Sequence, residues 1–82
     1  MDKTLASQVG EMNVMDSSGH KQLKWDRDRP DEIAAMTQLF DRLVGQGYSG
    51  FASKKKTEAK HAIRKFDPTM EELVMVPKIV GG

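Results

Sequence analysis

The chain has 82 residues, 13 basic and 12 acidic side chains, a formal net charge of +1 and no cysteine. A domain of this length buries only about 60% of the surface its unfolded chain exposes, and without thiols neither a disulfide nor a thiolate zinc site can reinforce so small a core. The near-neutral charge lacks the positive excess of most nucleic-acid binders. No apolar run approaches the ~20 residues of a membrane helix, and residues 1–7 lack the apolar stretch of a signal peptide, so a cytoplasmic protein with no membrane association is expected.

In chain order, residues 1–10 mix polar and small side chains without periodicity and read as a flexible arm. Met12, Val14 and Met15 precede the turn-forming Asp16-Ser17-Ser18-Gly19, and Leu23 and Trp25 alternate with polar neighbours after it. That pattern predicts a β-hairpin over 11–16 and 20–26. The Asp26-Arg27-Asp28-Arg29-Pro30-Asp31-Glu32 segment then opens a helix, with an aspartate as cap, proline in the first turn and acids favouring the helix dipole. Ile33, Met36, Leu39, Phe40, Leu43 and Val44 recur at three- and four-residue spacing as one apolar stripe of about four turns, stopped by Gly45 and Gly47.

Beyond the helix, residues 48–53 read as a short strand and the polar residues 54–60 as a loop. Residues 61–66 form a further strand, although burying both Ile63 and Phe66 needs a bulge or a shifted boundary. Asp67-Pro68 marks a turn, with a short helical turn expected at 69–71. Leu73-Val74-Met75-Val76 is apolar on both alternating faces, as in a central strand covered on both sides or paired in parallel, and Pro77 ends it. One domain over 11–77, followed by a tail over 78–82, is the resulting organisation.

The order strand, strand, helix, strand, strand, strand, closing in Glu71-Glu72-Leu73-Val74-Met75-Val76-Pro77-Lys78-Ile79-Val80-Gly81-Gly82, resembles the β-grasp fold of ubiquitin and the prokaryotic sulfur carriers. In the carriers of molybdopterin and thiamine synthesis, a late strand runs through proline into a terminal Gly-Gly. Lys78 stands here where a second proline is often found. The chain is also similar to small bacterial and phage proteins that share Trp25-Asp26 before the helix, Gly47-Tyr48 after it and this ending, a resemblance that brings no activity with it.

The carrier resemblance implies an α+β, β-grasp-like fold, with a helix packed on a mixed sheet, and a non-enzymatic function. Gly82 would be the carboxylate activated by an adenylating enzyme. Gly81 would be the steric requirement of that enzyme's narrow cleft, since a residue without Cβ lets the backbone approach closely. Pro77 would project the tail, and Ile79 and Val80 would meet the partner. The alternative is a structural adaptor, such as a phage virion or assembly protein, packed between virion subunits. No cofactor follows from either reading.

The remaining residues carry weaker chemistry. Trp25 fits a core anchor at the sheet edge or, half-exposed, a partner contact. Lys54, Lys55 and Lys56, with Lys60, Arg64 and Lys65 further on, could touch phosphate with Tyr48 or Phe51 stacking nearby, against the plainer reading of a solvated loop. His20 and His61 are the only histidines and their spacing indicates no metal site. Turns, caps and solubility account for the carboxylates, so no catalytic pair is nominated.

Overall fold

The computed structural model describes residues 9–16 and 18–78. Strands β1 (Val9–Asp16) and β2 (Gly19–Asp26) form the expected hairpin, in register from Val9 opposite Asp26 to Asp16 opposite Gly19. The Asp16 carboxylate accepts hydrogen bonds from the Ser18 N–H at 2.8 Å and the Ser18 hydroxyl at 2.7 Å, which fixes the turn locally. β1 starts two residues earlier than its pattern predicts, so Val9 and Gly10 belong to the sheet and not to the arm. The rest of the expected arm lies outside the described residues.

Helix α1 (Pro30–Gly45) carries the predicted stripe, with Met36, Phe40 and Leu43 buried, Ile33 and Leu39 packed at the core margin, and Val44 39% exposed. Its start differs from expectation. The cap residue is Arg29, which makes no side-chain cap bond. Asp26 instead uses its carboxylate on the Asp28 N–H at 2.8 Å, while Glu32 reaches back to accept from the Asp26 N–H at 2.7 Å. Proline at the first helical position and acids in the first turn supply the stabilisation that a capping side chain would have added. At the other end the Tyr48 N–H bonds the Leu43 carbonyl at 3.0 Å and the Gly47 N–H bonds that of Val44 at 2.9 Å. This paired closure requires the positive φ of 103° that Gly47 adopts.

β3 (Ser49–Ser53), β4 (His61–Ile63) and β5 (Glu72–Val76) complete a five-stranded sheet in the order β2-β1-β5-β3-β4. β5 is central, parallel to β1 and antiparallel to β3. One helix on one face of this mixed sheet gives the expected α+β, β-grasp-like fold. Leu73 and Met75 are buried under the helix whereas Val74 and Val76 are only partly buried on the other face, so parallel pairing, and not a second covering layer, accounts for the apolar run. Among the described residues no helix or further strand covers that second face. Among the described residues no helix is long and apolar enough to cross a membrane.

Trp25, Phe40, Met12, Leu73 and Met75 form the centre of the core, each less than 2% exposed. β4 stops at Ile63, and Phe66 enters the core from the following loop with its ring edge-on to Trp25 at 5.0 Å, so no bulge is needed. The expected helical turn at 69–71 is a plain turn, in which Asp67 accepts from the Thr69 N–H at 2.9 Å and the Thr69 hydroxyl at 2.6 Å. Trp25 Nε1 donates to the Pro68 carbonyl at 3.3 Å, pinning this loop to the hairpin.

Two substitutions test the packing. Phe40→Ala should cost about 3–5 kcal/mol in denaturant melts, and a loss below about 1 kcal/mol would show that the stripe is not the core face. Gly10 lies so close to the Trp25 ring that a Cβ there would overlap it. Gly10→Val should therefore destabilise by at least about 1–3 kcal/mol, and an unchanged melting midpoint would contradict this contact.

Candidate functional site

The tail leaves the domain from the end of β5. Val76 is still paired with Ser49, after which Pro77, lacking an N–H, ends the ladder. Lys78 then passes over the turn that closes the helix, its Cβ 3.3 Å from where a Cβ on Gly47 would sit. Pro77 is thus at the exit, between the central strand and the helix terminus. Ile79, Val80, Gly81 and Gly82 lie outside the described residues.

Around this exit the uncovered face of the sheet is apolar. The register aligns Asn13, Val74, Phe51 and Ala62 across four strands, and Phe51 and Met15 are 36% and 38% exposed. Strand alternation produces this face directly. When Leu73, Met75, Gly50 and Ala52 face the helix, Val74, Val76 and Phe51 must face away. Trp25 does not join them: at 1% exposure its whole surface is spent inside the core, which is the anchor reading of that residue.

The far end of the same face is polar and is covered by the 54–60 loop. Lys56 Nζ reaches Glu11 at 3.1 Å, the Lys56 N–H donates to the Glu71 carboxylate at 3.1 Å, and Lys60 pairs with Glu72 at 2.7 Å. Glu11 also accepts from Gln22 at 2.6 Å and Asn13 at 3.3 Å. The hydrogen bond from Lys56, aided by the one from Asn13, holds the Glu11 carboxyl below its ordinary range against the opposing effect of burial, and Glu11 in turn raises Lys56. All three lysines read as phosphate contacts are exposed, and of them Lys56 is paired with a carboxylate. A sequence reading misses Glu11 because its cation lies 45 positions away. His20 and His61 sit on the two opposite edge strands, and among the described residues no three His, Asp or Glu side chains gather where a metal ion could bind.

Comparisons with protein-family models, with curated proteins and with solved structures find no match.

The Glu11–Lys56 pair has a defined pH signature. A lowered carboxyl contributes stability above its unfolded value and loses it as pH falls through the folded one, whereas a raised amine contributes below its unfolded value and loses it as pH rises through the folded one. Lys56→Gln should lower the melting temperature at neutral pH, and the difference from the parent should vanish in strong acid, once Glu11 is protonated. Thermal melts across the acid range check this, and an equal difference at both extremes would contradict the pair. Replacing Lys54 and Lys55 by Gln should leave the melts nearly unchanged, since exposed charges contribute little.

Proposed function

We propose that this is a non-enzymatic, ubiquitin-like or sulfur-carrier-like protein that presents its Gly-Gly tail to a partner protein, an adenylating enzyme. The observation that carries the reading is the position of β5: the strand leading into the tail is central, bonded on both sides, and ends at Val76 immediately before Pro77. A tail on such a strand starts from a fixed point, so its origin is already positioned for a partner. In the proposed reaction a Gly82 carboxylate oxygen bonds to the α-phosphorus of a nucleoside triphosphate and pyrophosphate leaves. Hydrosulfide, a thiol or an amine then attacks the acyl carbon and displaces the nucleoside monophosphate, which leaves a thiocarboxylate, a thioester or an amide at Gly82. The two glycines have no Cβ to obstruct a narrow cleft.

A second reading, the structural adaptor that packs between subunits such as those of a phage virion, draws on the uncovered face with Met15 and Phe51 exposed. Its contacts are spread over the fold and do not need the tail.

Deleting Gly82 separates the two. Under the carrier reading the deletion abolishes adenylate or conjugate formation and leaves the melting temperature unchanged. Intact mass spectrometry of protein recovered from its native cell should show a thiocarboxylate or an isopeptide-linked partner at Gly82. A free carboxylate only, together with normal assembly of the deletion variant, would replace the carrier reading with the adaptor.

A further inference from the structure

At the corner of the sheet beyond β3 lies a cleft of about 370 Å³, walled by Val44 and Tyr48 from the end of the helix, Phe51 from β3, and Ala62, Ile63 and Arg64 at β4. Among the described residues four large hydrophobic side chains are markedly exposed, and two of them, Val44 at 39% and Phe51 at 36%, meet in this cleft. Val44 belongs to the apolar stripe of the helix, yet folding leaves it in water. Apolar area gathered in a concave site is unlike scattered surface exposure, and it marks a place where another chain can bury it.

The backbone beside the cleft is open as well. β4 is an edge strand, so the N–H and C=O groups on its outer side have no ladder partner among the described residues. The β3–β4 register ends at Gly50 opposite Ile63, so Ser49 is paired to β5 but to no strand on its other side. The cleft therefore offers main-chain hydrogen bonding next to an apolar pocket, the combination that captures an extended segment by strand addition.

Charge selects the occupant. From Lys60 to Phe66 the sequence contains no acid, and among the described residues Arg64 is the one charged residue lining the cleft. The nearby Asp67 carboxylate is turned onto Thr69, and Lys60 is already paired with Glu72. A second copy is disfavoured, because antiparallel pairing of β4 with itself would bring the His61, Arg64 and Lys65 sides of two basic edges together. A nucleic acid would find one lining cation and walls that are otherwise uncharged. The geometry points to an extended acidic peptide of a partner protein, added as a strand along β4, with an apolar side chain between Val44, Phe51 and Ile63 and a carboxylate on Arg64.

This binding is independent of the tail reading, since the peptide engages neither Gly81 nor Gly82. The test uses the full isotope-labelled chain and a blocked hexapeptide alternating glutamate and valine, followed by amide chemical shifts. Shifts should concentrate at the start of β3 and around residues 61–65, with slowed amide exchange on β4. Arg64→Glu, an exposed substitution whose retained amide dispersion verifies folding, should weaken binding by about tenfold or more, whereas Lys24→Glu on the opposite edge should not. Absence of shifts at millimolar peptide, or shifts confined to β2 or the apolar face, would overturn the proposal. So would binding of a short oligothymidylate at the same residues without binding of the peptide, which would make the cleft a nucleic-acid surface.

Discussion

The fold depends on the last strand entering between the first and the third. Until β5 pairs in parallel with β1 and antiparallel with β3, the hairpin and the β3–β4 ribbon are separate pieces and the helix has no continuous surface to cover. Leu73 and Met75 are the side chains that this insertion adds, and they sit in one buried cluster with Phe40 and Met12. Gly50 completes the arrangement, because a Cβ there would stand 2.8 Å from the Phe40 ring. Pairing of the chain's two ends is non-local and closes late against loop entropy, so the domain has little independent stability in its parts.

Local pattern was enough for the elements whose signal is local. The three- and four-residue spacing from Ile33 to Val44 gave the helix, the turn chemistry of residues 16–19 gave the hairpin, and a two-sided apolar run before Pro77 gave the central strand. What escaped the sequence was set by distant partners. Gly10 reads as arm composition because its role is to leave room for Trp25, fifteen positions later in the chain by their numbering, and a missing side chain carries no hydrophobic signal. The helix cap escapes a sequence reading because two aspartates, Asp26 and Asp28, stand just before Pro30 and only the fold decides which backbone amides each can reach. Phe66 falls within the strand expected over 61–66, but β4 ends at Ile63 because Phe66 reaches the core from the loop that follows.

The candidate surfaces divide the same way. The place of Pro77 at the end of a central strand was legible, and so was the basic character of residues 54–60. That Lys56 holds Glu11, so that the loop is a strap across the polar end of the sheet and not a free basic patch, required the tertiary contacts. A charge run in sequence states which groups exist, while their availability depends on which are already paired. The apolar face carrying Phe51 and the corner cleft beside β4 likewise arise from register, since a shift of one residue would have turned Phe51 inward and Gly50 outward.

Because the tail is anchored through β5, the proposed function needs that strand to be among the last parts of the domain to open. Native-state hydrogen exchange across the sheet tests this directly. Amides of Leu73, Val74 and Met75 should exchange only through global unfolding, with the same free energy as Met12 in β1, while those of the 54–60 loop exchange by local opening. Exchange of the β5 amides at loop-like rates, with β1 and β2 still protected, would show that the last strand detaches alone and would contradict a tail held by the most stable part of the fold.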